Sequence, residues 1–162
     1  MKSLHEKFKW CLRQKKGIKL VDPSEALYLD YLDKAKKSII SAEANLKEGV
    51  FEWVIVAAYY ARYFAFYALL QKAGINCEIH DCTINAVGLI FGNIIPDKLL
   101  REIKHSKDRR EDSQYFIQKS IPKDYVIQDL KNARVFLTEI RSIIEDIGED
   151  EVALIRNNLK KL

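Results

Sequence analysis

The chain has 162 residues, of which 48% are hydrophobic and 31% are charged, and its formal net charge is +4. These values are typical of a soluble globular protein, and six glycines with three prolines favour long helices over a many-stranded sheet. The absence of an internal repeat, a low-complexity segment or a long linker argues against a repeat protein or a chain of several domains. Residues 1–162 are therefore predicted to form a single helical domain with a sizeable core.

The N-terminal segment, residues 1–17, is strongly basic. Seven of the first 20 residues are Lys or Arg, whereas only Glu6 is acidic. Residues 3–16 predict an amphipathic helix that ends at Gly17 and places on one face Leu4, Phe8, Cys11 and Leu12. Two interpretations are open: an arm that binds RNA or an acidic surface, and a solvated helix that packs its apolar side on the bundle. Three cysteines without a signal peptide predict a reducing, cytoplasmic setting.

The helical core is predicted to span about residues 22–147. Asp22-Pro23-Ser24-Glu25 indicates a helix start, with Asp22 as the N-cap and Pro23 in the first turn. This helix is predicted to run to about Lys47, with a buried stripe of Leu32, Ala35, Ile39, Ala42 and Leu46. Gly49 ends it, and the short connection makes the following helix its antiparallel neighbour.

The most apolar stretch, Val50–Leu70, predicts the central helix of the bundle. Its only charge between Val54 and Leu70 is Arg62. Small residues at helical spacing form a stripe for close helix packing: Ala58, Ala61, Ala65 and Ala68. A membrane span is the weaker interpretation, because a charge lies mid-segment and four tyrosines need hydrogen-bond partners, so no membrane association is expected. We expect Arg62 to face a cleft or a dimer interface and to pair with an acidic residue or a phosphate.

The remaining chain predicts a short loop and four further helices. The loop covers residues 75–79, and Gly74 ends the helix before it. The helices are predicted at about Asp81–Phe91, Pro96–Gln118, Asp124–Ile147 and, as a C-terminal addition, 149–162. The expected fold is therefore an all-α, up-and-down bundle of four or five helices with an extra short helix at each terminus.

The segment KAKKSIISAEANLKEGVFEWVIVAAYYARYFAFYALLQKAG resembles the first two helices of the small stand-alone HEPN domains (higher eukaryotes and prokaryotes nucleotide-binding). The family's aromatic core motif corresponds to Tyr59, Tyr60 and Ala61. The resemblance covers about residues 30–145. It extends to later features of the chain, namely His80 before the next helix, Arg110 followed by Tyr115, Asn132-Ala133, and Phe136-Leu137.

The resemblance implies a helical bundle that commonly forms a homodimer. Many relatives act with a separately encoded minimal nucleotidyltransferase, often as a toxin–antitoxin pair. Some members are metal-independent RNases that use an arginine and a histidine separated by four to six residues and brought together across a dimer cleft. This chain departs from that motif, since Gln114 lies five residues after Arg109 and Tyr115 five after Arg110. Its nearest arginine–histidine pair is Arg101 and His105, at a spacing of four positions rather than five to seven.

The resulting prediction is a nucleotide- or RNA-binding or interaction module that acts with a minimal nucleotidyltransferase. The alternatives are a metal-independent RNase toxin and a structural dimerisation module without a ligand. The resemblance and the basic cluster after Leu100 suggest phosphate-binding residues, namely Arg62, Lys104, Lys107, Arg109, Arg110 and Tyr115. For the RNase alternative, the weak catalytic candidates are Arg109, Arg110, His105 and His80.

Plainer interpretations stand beside these assignments. Acidic residues dilute the basic cluster, which is also compatible with a solvated helix face; they are Asp108, Glu111 and Asp112. His80 fits a capping or hydrogen-bonding residue at a helix start. The spacing of Cys77, His80 and Cys82 is not that of a usual zinc site, so no metal is predicted. No cofactor is predicted either, since the chain carries no Gly-rich phosphate loop.

Overall fold

The computed structural model describes residues 4–115 and 120–161. Its elements are, in chain order, α1 (Leu4–Arg13), β1 (Lys19–Leu20), α2 (Glu25–Lys47), α3 (Phe51–Lys72), β2 (Ile75–Asn76), α4 (His80–Ile90), α5 (Asp97–Tyr115), α6 (Lys123–Asp146) and α7 (Glu149–Lys160). The all-α prediction is confirmed, with α2, α3, α5 and α6 forming the bundle and a short helix near each terminus. The predicted end of α5 at about Gln118 lies outside the described residues.

The start of α2 differs from the sequence prediction. Ser24 is the N-cap, because its backbone is extended and its side chain accepts a hydrogen bond from the amide of Leu27 at 3.2 Å. Asp22 and Pro23 lie before the cap, so their predicted roles are wrong. Serine and aspartate cap helices about equally well, so composition alone does not decide between two such residues that are close in sequence.

Two glycines follow the C-terminal ends of helices, as predicted: Gly49 follows α2 and Gly74 follows α3. Gly49 and Gly74 have φ values of +74° and +65°, in the left-handed region that glycine adopts without strain. A Cβ atom at Gly74 would also lie 2.5 Å from the carbonyl oxygen of Val21. The chain therefore approaches itself closely at this point.

The predicted loop after α3 contains a short strand. β2 pairs with β1 in an antiparallel arrangement, with Leu20 opposite Ile75 and Lys19 opposite Asn76. A two-residue strand is too short to show the alternation by which strands are predicted. The pairing ties the segment after α1 to the end of α3.

Helix α3 is the centre of the core. It packs against α2, α4, α5 and α6, and all four alanines of the predicted stripe are fully buried. α3 is long and apolar enough to cross a membrane by length and composition alone, but 83% of its most apolar window is buried inside the protein. Its apolar character is accounted for by protein contacts, as expected for the central helix.

Two of the three cysteines form a disulfide, between Cys11 in α1 and Cys82 in α4. The sequence predicted cysteines in a reducing setting, and for these two the structure has an oxidised pair instead. The two residues are 71 positions apart, so no local pattern pairs them. The bond joins α1 to the bundle, and the cytoplasmic location stays a prediction.

Arg62 lies inside the bundle and not at a cleft or dimer interface. Its side chain has 0% exposure, and its Nε donates to Glu102 of α5 at 2.8 Å. Its Nη1 donates to the Ala58 carbonyl and to Ser106 Oγ, and its Nη2 donates to the carbonyl and carboxylate oxygens of Asp129 in α6.

These five bonds use every donor that a guanidinium has. The expected pairing with acidic residues is therefore present, but the phosphate-binding role predicted for Arg62 is wrong. A phosphate could reach this side chain only by breaking the bonds that link α3, α5 and α6.

Replacing Arg62 with methionine is expected to lower the free energy of unfolding by about 3–5 kcal/mol, because it leaves the buried Asp129 carboxylate without this cation. Urea denaturation followed by circular dichroism measures the change.

The matched control is Arg134→Met. Arg134 pairs with Glu43 and also joins two helices, but both side chains are about half exposed. Exposed ion pairs contribute about 0–1 kcal/mol, so the control is expected to lose no more than that. Equal losses in the two variants would contradict the structural role of Arg62.

Candidate functional site

His80 is the first residue of α4 and lies against the aromatic face of α3. Its Nδ1 is hydrogen bonded to the Tyr59 hydroxyl at 3.1 Å. The ring stacks on Tyr63 with centroids 4.0 Å apart, and Tyr60 contacts it edge-on at 6.1 Å. The aromatic core motif of α3 thus forms the wall of a polar site, in addition to packing in the core.

Arg110 of α5 reaches the same place from the other side. Its guanidinium carbon lies 5.0 Å from the centroid of the Tyr59 ring, within cation–π range. Nη1 donates to Gln114 Oε1 at 3.1 Å, and Nη2 donates to Glu111 Oε1 at 3.4 Å. The buried Nε has no partner among the described residues. The structure therefore brings together an arginine and a histidine that are 30 positions apart in the sequence, with Tyr59 between them.

Lys107 completes the charged rim of the site. Its Nζ lies 2.7 Å from Asp81 Oδ1 and 3.3 Å from Glu111 Oε1. Asp81 follows His80 in α4, so this ion pair connects α4 to α5. Both cations next to His80 therefore have a carboxylate beside them: Lys107 has Asp81 and Glu111, and Arg110 has Glu111.

Burial sets the protonation states at this site. It lowers the pKa of His80 from its ordinary value, and the charge of Arg110 lowers it further, against an opposing effect of Asp81. Burial also raises the pKa of Tyr59, and it raises that of Tyr63 to about 12. At neutral pH the site therefore contains a neutral imidazole and protonated hydroxyls, which can exchange hydrogen bonds but carry no charge.

The other predicted site residues do not join this cluster. Arg109 turns to the opposite side of α5, where its Nη2 donates to Asp129 at 2.8 Å and its guanidinium carbon lies 5.9 Å from the Tyr125 ring centroid. Lys104 and His105 are exposed, and Tyr115 is 69% exposed. The basic residues of α5 therefore do not form one phosphate-binding patch, because successive helical residues point about 100° apart.

The three residues weighed as zinc ligands have other partners. Cys82 is in the disulfide, His80 bonds to Tyr59, and the buried Cys77 thiol donates to the Ile79 carbonyl at 3.5 Å. Within residues 4–115 and 120–161, no three His, Cys, Asp or Glu side chains are grouped to hold a metal ion.

Sequence reasoning missed Asp129, and it identified Gln114 only as a departure from the RNase motif and not as a partner of Arg110. Asp129 lies on the buried face of α6, three residues after Val126, where a carboxylate signals a buried partner. Gln114 lies four residues after Arg110, the spacing at which helical side chains meet. Both signals were present in the sequence, but the partners of Asp129 come from distant segments.

Comparison with known proteins gives the family. The model for the HEPN domain matches residues 28–149, about three quarters of the chain. The chain belongs to the HEPN family. A UPF0332 protein of Archaeoglobus fulgidus is 29% identical over 112 residues, which cover 68% of this chain and 90% of the relative. The HEPN match begins within α2, so α1 and β1 precede it.

Acidification is expected to destabilise this HEPN domain through His80. An unfolded histidine has a pKa of about 6.5, and the folded value is lower, so the unfolded state binds the proton more readily. The contribution of the neutral His80 ring to the free energy of unfolding is fully present above about pH 6.5. It is lost as the pH falls through the pKa of His80 in the folded state. Thermal midpoints between pH 7.5 and pH 5.0 are expected to fall more for the wild type than for His80→Gln.

An NMR titration of the His80 ring provides the direct check. The His80→Gln spectrum identifies the resonance by its disappearance. A folded-state pKa at or above 6.5, or equal pH slopes in the two proteins, would contradict the effect of burial.

Proposed function

We propose that this HEPN domain is a non-catalytic module that binds RNA or a nucleotide and acts with a separately encoded minimal nucleotidyltransferase, in a toxin–antitoxin-like pair. We further propose that it works as a homodimer in the cytoplasm. Family membership supports the nucleotide- or RNA-related role. The partner and the dimer follow from the resemblance to small stand-alone relatives.

The observation that carries the non-catalytic role is the bond between Gln114 and Arg110. RNases of the family have a histidine separated from the arginine by four to six residues. Here Gln114 occupies the corresponding position after Arg109, and it accepts a hydrogen bond from Arg110. An amide takes no part in proton transfer at neutral pH, and its bond holds the guanidinium in place.

The same site can still hold a phosphate. The Arg110 guanidinium supplies a cation that is 10% exposed, and Lys107 supplies a second cation that is 21% exposed at the rim. A phosphate would have to compete with the carboxylates of Asp81 and Glu111 for these two cations. Such a site favours weak, salt-sensitive binding over tight retention.

Lys107→Ala is expected to weaken binding of a labelled single-stranded RNA and to lower the slope of log K against log salt by about 1, because one phosphate contact is lost. Fluorescence anisotropy at several salt concentrations measures both quantities. The control is Lys98→Ala on the first turn of α5, where the lysine pairs with Glu139 away from His80.

The outcome that would contradict RNA or nucleotide binding is the absence of any anisotropy change with RNA together with no thermal stabilisation by nucleotides. An equal effect of the two lysine variants would exclude the His80 site as the place of binding.

Association with the nucleotidyltransferase is tested by co-expression. A tagged form of this chain is expected to retain a minimal nucleotidyltransferase encoded beside it on an affinity column, and the tag alone is the control. An unrelated neighbouring gene, or no retained protein, would remove this partner from the proposal.

A metal-independent RNase is the second candidate, favoured by the meeting of His80 and Arg110 around Tyr59. A neutral imidazole can accept a proton, and a guanidinium can stabilise a phosphorane. The RNA recovered from the binding experiments decides between the two. Cleavage in EDTA that is lost in His80→Gln would replace the non-catalytic proposal, whereas intact RNA supports it.

A further inference from the structure

Helix α1 presents a fixed face to solvent. Phe8 and Cys11 are buried against the bundle, and the disulfide to Cys82 holds the helix on α4. Gly17 allows the chain to turn directly under α1, because a Cβ atom there would lie 1.8 Å from the Cys11 carbonyl oxygen. The opposite face of the helix is therefore held in one orientation relative to α4 and α5.

A cleft of about 480 Å³ lies between α1, α4 and α5. Its apolar surface includes Trp10, which is 47% exposed and so contributes little to the core. The charged residues that line it are Lys7, Lys104, Lys107, Asp81 and Asp108. Asp81 and Lys107 are paired with each other, which leaves Lys7 and Lys104 as cations in excess over Asp108.

These groups match the chemistry of a single nucleic-acid strand. A flat indole beside lysines provides a surface on which an unpaired base can stack while its phosphates meet the cations. A folded duplex offers no free base face to such a surface, and a plain anion makes no use of the indole. The strongly basic N-terminal segment adds long-range attraction, since seven of the first 20 residues are Lys or Arg.

We infer that this cleft binds single-stranded RNA, with Trp10 stacked on a base and with Lys7 and Lys104 contacting the adjacent phosphates. The inference rests on the proposed RNA-binding role and extends it to a second surface. Lys107 lies both in the cleft and at the His80 site, so a strand can pass from one to the other. Helix α1 precedes the HEPN match, so Lys7 and Trp10 lie outside the matched residues, whereas α4 and α5 lie within them.

The test uses a 12-nucleotide single-stranded RNA labelled with fluorescein, and the same sequence as a duplex. Trp10→Ala is expected to weaken binding of the single strand by about 5- to 150-fold, the range found when one stacked base loses its aromatic partner. Trp10→Phe is expected to retain most of the affinity, because a ring remains. The duplex is expected to bind more weakly than the single strand.

Trp53→Ala is the matched control. Trp53 is the other tryptophan of the chain, is 53% exposed on α3, and does not line the cleft. Its loss is expected to leave RNA affinity within twofold of the wild type. Circular dichroism and thiol titration establish that each variant keeps its helices and its disulfide.

Tryptophan fluorescence gives an independent readout. In Trp53→Phe the emission comes from Trp10 alone, and RNA is expected to quench it through stacking. In Trp10→Phe the emission of Trp53 is expected to stay constant.

The two proposals fail differently. Unchanged affinity in Trp10→Ala, with weaker binding in Lys107→Ala, would overturn the cleft and leave the proposed function standing. An unquenched Trp10 on saturation with RNA would also overturn the cleft. A wild type that binds neither RNA nor nucleotides would overturn the proposed function and the cleft with it.

Discussion

The buried charge of Arg62 is the constraint on which this bundle depends. Four of its five hydrogen bonds link α3 to Glu102 and Ser106 on α5 and to Asp129 on α6, and the fifth goes to the Ala58 carbonyl within α3. A guanidinium taken out of water must recover the hydrogen bonds that it loses, so the three helices can pack only in the register that supplies these acceptors. Arg110 lies one turn after Ser106 on the same face of α5, and this register places it against Tyr59.

The site beside this network owes its chemistry to aromatic burial. Tyr59 and Tyr63 pack in the core and also enclose His80, whose pKa they help to lower by excluding water. Gln114, which lies five residues after Arg109, accepts a hydrogen bond from Arg110. Together with the lysines and Trp10 of the cleft between α1, α4 and α5, these contacts are the basis of the proposed binding of a strand or nucleotide.

Much of the fold was predictable because its helices are long and their apolar residues recur with helical spacing. The stripe of α2 around Ala35 and Ile39 and the glycines that end helices both follow from local rules. The wrong or missing predictions concern contacts between segments that are far apart in the sequence, or a choice between two chemically similar residues that are close in sequence. The β1–β2 pair, the Cys11–Cys82 disulfide and the choice of Ser24 over Asp22 as a cap all belong to these classes.

The sequence by itself determined an all-α bundle around an aromatic helix, its HEPN resemblance, and the departure at Gln114 from the RNase motif. Only the tertiary structure decided which charges meet. Arg109 and Arg110 are neighbours in sequence but point about 100° apart, so one pairs with Asp129 and the other lies on Tyr59 beside His80. Periodicity predicts the face on which a residue lies, whereas its partner is set by the packing of segments that are far apart in the chain.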